Sequence, residues 1–181
     1  MESSDYTAIA DRFGAVVDAT TDWDAPTPVP EWRARDIVHH LTTWLPGLLG
    51  SCGVQLPAGD LADPVGSWQQ QHAAVRGLLV ERGDEEVTHA FLGTTSISSL
   101  LARVYLGDVF MHTWDLARSA GVPHGLDPAM CEETLAGAQA MEDALRASGH
   151  FGPAWPGELP ADADAAARMM AFVGRDPSWV P

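Results

Sequence analysis

Apolar side chains return every three or four residues through most of this chain, and proline or glycine falls in nearly every gap between the runs. That period is helical, and it restricts the fold to helices packed face to face, with a strand allowed only where the period lapses. Tyr6, Ile9, Ala10, Phe13 and Val17 form the inner stripe of a first helix, capped by Ser3, Ser4 or Asp5 and ending near Thr21. Pro26, Pro28 and Pro30 make residues 24–31 an extended connector. A second helix is predicted over residues 33–49, with Ile37, Leu41, Trp44, Leu45 and Leu48 inside and Pro46 kinking or shortening its last turn. A third covers residues 64–82, buries Val65, Trp68, Val75 and Leu79, and stops at Gly83.

Residues 86–95 lose the helical period and predict one short strand. The fourth helix, residues 96–120, is predicted to be the longest; Gly121 and Pro123 end it. Asp127 and Pro128 suit the N-cap and first position of a fifth helix running to residue 147, and Gly149 stops it. A short helix over residues 163–173 and the tail GRDPSWVP follow. The short connections favour antiparallel neighbours, so the expected fold is all-α: a four-helix bundle with an additional helix and a C-terminal wrapping tail. At roughly 150 residues per domain, 181 residues predict a single domain spanning 1–181.

Composition removes several classes of function. Ten Lys+Arg against 25 Asp+Glu leave a net charge of −15, which opposes binding to nucleic acid or an anionic membrane. The basic residues are all arginine, so Schiff-base chemistry and a Walker-type phosphate loop are excluded. Neither a Gly-rich nucleotide fingerprint nor a GxSxG elbow occurs. No apolar run approaches the roughly 18 residues of a membrane span, and the two cysteines, Cys52 and Cys131, are far apart without a CxxC. A cytoplasmic protein acting on a small molecule is expected, and no feature of the chain specifies an oligomeric state.

Three polar residues occupy positions where the helical stripes call for apolar ones. His40 lies three after Ile37 and four before Trp44, so it shares the inner face of the second helix, whereas His39 points elsewhere. Asp108 and His112 are four apart on the inner stripe of the fourth helix, close enough to hold one ion. Two imidazoles and a carboxylate from two helices would make a three-ligand site with positions open to water or substrate. The same pattern also fits a hydrogen-bonded Asp–His pair and a core histidine.

The segments around these residues resemble a known family. EWRARDIVHHL is similar to the W-x-x-R-D-hydrophobic-hydrophobic-x-H-L segment of the DinB-like, mycothiol-dependent maleylpyruvate isomerase N-terminal-domain proteins, and LGDVFMHTWDLARSAG to their D-x-x-x-H-x-W-D-L-A-R-x-x-G segment. FVGRDPSW resembles the G-R-D-P-x-W ending of a short actinobacterial branch. The resemblance implies a DinB-type four-helix bundle with a divalent metal at His40, Asp108 and His112: zinc, with nickel or another ion as alternatives. It also implies mycothiol as a co-substrate in a transferase or isomerase acting on an electrophilic small molecule. The characterised isomerases carry Glu where Asp108 stands, and a further C-terminal domain that contributes to their active site; 181 residues are expected to be too few to include it. A thiol-independent metal-dependent hydrolase or biosynthetic enzyme, and a non-catalytic small-ligand-binding bundle, are the alternatives.

Around this trio, Trp44, His72 and Tyr105 are candidates for lining a substrate pocket, with His72 also a possible fourth ligand or proton shuttle; ordinary core packing is the competing role for each. No catalytic general base is assigned. Asp115 and Arg118 predict a surface ion pair or loop anchor, with Asp115 behind a ligating histidine as the second option. Asp36 suits the helix start beside Arg33 or a contact with His40. Cys131 shares an inner face with Ala138, Met141 and Leu145; His89, His124 and His150 are expected to be exposed.

Overall fold

A computed structural model of the chain describes residues 3–147, 149 and 151–181. The caps expected at Ser3, Ser4 or Asp5 rest on side chains outside this description, and His150 lies outside the described residues. The elements in order are α1 (Ser3–Ala19), α2 (Ala34–Ser51), α3 (Pro64–Arg82), β1 (Glu86–His89), β2 (Gly93–Ser96), α4 (Ile97–Val104), α5 (Leu106–Ala120), α6 (Pro128–Ala140), α7 (Glu142–Ala147) and α8 (Ala165–Phe172). α1 packs on α3 and α5, and α2 packs on the same two, which closes four helices into a bundle. α6 and α8 pack against each other beside it.

The stripes seen in the sequence are the faces that meet. Tyr6, Phe13, Ile37, Leu41, Leu45, Trp68, Val75, Leu100, Leu101 and Leu116 are all buried in one cluster. Each large apolar side chain buried this way contributes about 1.5–3 kcal/mol against the entropy of ordering the chain. Asp127 caps α6 as expected by accepting a backbone N–H from its first turn, and Asp63 and Asp164, not singled out from the sequence, do the same for α3 and α8.

Pro46 does not shorten α2, which runs on to Ser51. A proline there leaves the Thr42 carbonyl without its helical donor, and the Gly59 N–H supplies the missing hydrogen bond at 2.9 Å. The loop comes this close only because residue 59 has no side chain, since a Cβ there would overlap Thr42 Oγ1. Gly59→Ala is therefore expected to lower the unfolding free energy by about 1–3 kcal/mol in urea titration. Gly47→Ala, on the same helix with open space around its Cβ, should be neutral or raise it by about 0.5–1 kcal/mol.

Three further expectations need correction. Residues 86–96 form two strands in an antiparallel hairpin, with Glu86 opposite Ser96 and His89 opposite Gly93. The tip, Ala90-Phe91-Leu92, carries no turn-forming residue before Gly93, whose φ of +77° closes the hairpin. The predicted fourth helix is two, α4 and α5, which meet at Tyr105, where φ widens to −108° while ψ stays helical at −39° and a wholly buried ring is fitted into the core. α3, at 19 residues, is accordingly the longest helix among the described residues. The predicted fifth helix also breaks, at Met141, and α7 buries none of its residues. Of the inner face assigned there, Cys131 is buried, with burial pushing its thiol up to about 11, while Met141 is exposed.

The proline-rich connector is less extended than expected. Pro26 and Arg33 form an antiparallel bridge, the Trp32 N–H donates to the Val29 carbonyl at 3.1 Å, and Glu31 takes a left-handed φ of 68°. Ser119 of α5 donates its hydroxyl to the Pro26 carbonyl at 2.7 Å. This tight loop sets Trp32 just before the N-terminus of α2, against His40 and His112.

Candidate metal centre

α2 and α5 lie side by side, so the inner-face positions of each meet in the bundle. His40 Nε2 is 3.0 Å from Asp108 Oδ2, and His112 Nε2 is 3.4 Å from Asp108 Oδ1. Each of the three residues offers a ligand atom, and these atoms all lie within 4.8 Å of one another. Metal bonds of about 2.0–2.2 Å place neighbouring donors a little over 3 Å apart, so the spacing suits a shared ion. Two imidazoles and one carboxylate form a borderline donor set of the kind that zinc, nickel or iron accepts. His39, one position away, takes no part in the cluster.

In metal-free protein the surroundings favour the ionised forms of Asp108 and His112. Burial alone would raise the Asp108 carboxyl, but the His40 hydrogen bond, the nearby imidazoles and the Trp44 N–H hold it below its ordinary value. Trp44 Nε1 donates to Asp108 Oδ2 at 2.9 Å. Burial alone would lower His112, yet the hydrogen bond to Asp115 and the Asp108 and Asp115 charges raise it above an ordinary imidazole. The Asp115 side chain, also gripped by Arg175, takes His112 Nδ1–H at 3.0 Å. Once the ring gives up its Nε2 proton, Asp115 keeps the remaining proton on Nδ1 and the Nε2 lone pair faces Asp108 and His40, the arrangement that a ligating histidine needs.

Residues 6–52 match the family model of the mycothiol maleylpyruvate isomerase N-terminal domain. This is the family to which the sequence motifs pointed. The matched stretch carries His40 and Trp44 but not Asp108 or His112. Two uncharacterized proteins of Mycobacterium tuberculosis, from strains CDC 1551 / Oshkosh and H37Rv, are each 27% identical to the chain over 158 residues, covering 83% of it and 83% of their own length. No solved structure gives a significant match.

Inside the maleylpyruvate isomerase-like stretch, Trp32 is a residue that helical periodicity does not mark. Its ring lies 5.0 Å from His40 and stacks on His112 at 5.6 Å, so one indole covers both imidazoles. Only its place in the W-x-x-R-D motif signals it. Arg175 is the other such residue: it grips Asp115 from the segment after α8, with Nε donating to Oδ1 at 3.0 Å and Nη2 to Oδ2 at 3.2 Å.

The expected Asp115–Arg118 surface pair is absent. Asp115 is wholly buried and serves His112 and Arg175, while Arg118 donates to the carbonyls of Pro177 and Trp179. Asp36 accepts the Arg33 N–H at 2.8 Å and so serves the start of α2.

The three pocket candidates separate. Trp44 touches the cluster through Asp108. Tyr105 packs edge-on to Trp44 at 5.6 Å, is fully buried, donates to the Leu41 carbonyl at 3.3 Å, and has its phenol pushed well up by burial. His72 sits outside the cluster, edge-on to Tyr6 at 5.6 Å with Nε2 3.6 Å from Asp11, and burial pushes its imidazole down. His89 and His124 are half-buried rather than exposed, each accepting a backbone N–H at Nδ1. No described helix is long and apolar enough to cross a membrane.

Proposed function

We propose that this chain is a metal-dependent enzyme that joins a low-molecular-weight thiol, such as mycothiol, to an electrophilic small molecule as a transferase or isomerase. The observation that carries this reading is the meeting of His40, Asp108 and His112, with one ligand atom of each within 4.8 Å of the others and with Nδ1 of His112 committed to Asp115. The match of residues 6–52 to the mycothiol maleylpyruvate isomerase N-terminal domain supplies the thiol. The bundle would be of the DinB type, and zinc is the ion we assign. Once bound, the ion would lower the pKa of a coordinated thiol and polarise a carbonyl on the acceptor.

The residues around it have separate tasks. His40, Asp108 and His112 donate the ligands. Trp44 fixes the Asp108 carboxylate by a hydrogen bond, and Trp32 shields both imidazoles from water on one side. The net charge of −15 suits an uncharged or cationic small molecule better than a polyanion.

Elemental analysis of protein purified without an affinity tag, wild type beside His40→Ala, tests the metal. Near-stoichiometric zinc in the wild type and its loss in the variant are expected. Thiol consumption with an electrophile, dependent on that metal, tests the reaction. Metal-dependent hydrolysis without thiol use would replace the transferase with a hydrolase. Failure of the wild type to bind added metal would leave a binding module.

The pH dependence follows from the two shifts. In metal-free protein, Asp108 is depressed, so its contribution to stability is present above the ordinary value of 3.8 and is lost as pH falls through its folded value. His112 is raised, so its contribution is complete below the ordinary 6.5 and is lost as pH rises through its higher folded value. The metal-free chain should therefore be most stable in mild acid. Metal binding requires His112 without its Nε2 proton, so chelator competition should show affinity falling from a pH above 6.5 downward. A midpoint below 6.5 would contradict the raised His112.

A further inference from the structure

The wholly buried Asp115 lies between two partners from opposite ends of the sequence pattern. On one side is His112, three positions earlier on α5. On the other is Arg175, separated from it by 60 residues and reaching in from the segment after α8. That segment is held independently of the pair. The Arg175 N–H donates to the Met170 carbonyl at 2.9 Å, and Asp176 accepts the Ser178 N–H at 2.8 Å. Arg118, stacked over the Trp114 ring at 5.4 Å, donates to the carbonyls of Pro177 and Trp179.

We propose that Arg175 is a positioning residue of the metal centre, acting on His112 through Asp115. This rests on the metal reading given above. A carboxylate held by His112 alone is free to turn about its own Cβ–Cγ bond. The two parallel donations from Arg175, one to each oxygen, fix the plane of the Asp115 carboxylate. With that plane fixed, Oδ2 stays in line with His112 Nδ1–H, and the ring keeps Nε2 toward Asp108 and His40. Arg175 therefore selects the tautomer and the ring orientation of a ligand that it never touches. The chemistry requires a planar fork. Lysine, a point charge, would neutralise Asp115 without setting its plane.

Three variants test this: Arg175→Lys, Arg175→Met and Arg118→Met. Zinc affinity is measured by chelator competition, and the tautomer of the His112 ring by nitrogen chemical shifts in metal-free protein at a pH high enough for the ring to be neutral. Arg175→Lys should bind zinc about 10-fold more weakly and Arg175→Met up to about 100-fold, the range expected when the partner of a ligating histidine is disturbed. Both should show a mixed His112 tautomer. Arg118→Met releases the same segment to proteolysis but should leave zinc affinity and tautomer as in the wild type.

The proposal is overturned if Arg118→Met weakens zinc as much as Arg175→Met, because docking of the segment would then be the whole effect. It is also overturned if both Arg175 variants keep the wild-type tautomer. Should Arg175→Met fail to fold, Arg175→Lys decides, since it retains the charge opposite Asp115. A wild type that binds no zinc would defeat the metal reading alone, and the tautomer of the metal-free protein would still decide the role of Arg175.

Discussion

His112→Ala is expected to abolish bound metal and metal-dependent thiol consumption together while leaving the helical circular dichroism nearly unchanged. His112 contributes both of its ring nitrogens. Nε2 faces Asp108 and His40, and Nδ1 faces Asp115. Without the ring, the remaining His40–Asp108 pair offers two donors, too few to retain a catalytic ion through dialysis. The fold should survive because Asp115 keeps both hydrogen bonds from Arg175, so no buried charge loses its counter-ion. The loss of a buried imidazole and its hydrogen bonds should lower the unfolding free energy by about 1–3 kcal/mol. Plasma mass spectrometry and a thiol assay on the same preparation check the result. Metal at the wild-type level in the variant would place the ion elsewhere.

The trio itself was legible in the sequence because a helix reports its own faces. Ile37 and Trp44 locate His40 on the inner stripe, and the i, i+4 spacing of Asp108 and His112 puts both on one face, whatever the rest of the chain does. The breaks at Tyr105 and Met141 were not legible, because each depends on what the far side of the bundle offers. Tyr105 is accommodated by the Leu41 carbonyl and the Tyr6 and Trp44 rings, whereas Met141 has left the core altogether. The same limit explains Pro46, whose helix continues with the freed Thr42 carbonyl satisfied by Gly59 across the loop.

Asp115 shows the limit at the site. Its neighbour at i+3, Arg118, is the local partner that spacing selects, but Arg175 takes it from 60 residues away. A pairing between a helix and a distant segment leaves no periodic trace. Trp32 lies on a connector whose three prolines correctly exclude helix but do not show that the chain turns back at Glu31. In both cases the family motifs marked the residue, and its role came only from the structure.

Arg175→Met is expected to lower the unfolding free energy by about 3–5 kcal/mol, the usual cost of leaving one member of a buried ion pair without its partner. The asymmetry of exposure sets the size of the effect. Asp115 is 0% exposed, while the Arg175 side chain keeps 21% of its surface in water, so the carboxylate cannot reach solvent when the guanidinium is gone. His112 becomes its sole counter-ion, and only when protonated. The loss should therefore be largest above neutral pH and shrink as pH falls and His112 gains its proton. Asp115→Leu combined with Arg175→Met removes both charges, and should recover stability to within about 1–2 kcal/mol of the wild type. It should not recover zinc, because no acceptor remains for His112 Nδ1–H. Urea titrations of the two single variants and the double, each beside a zinc titration, separate the two functions of the pair. If Arg175→Met cost less than about 1 kcal/mol, the contact with Asp115 would be no stronger than an exposed surface ion pair.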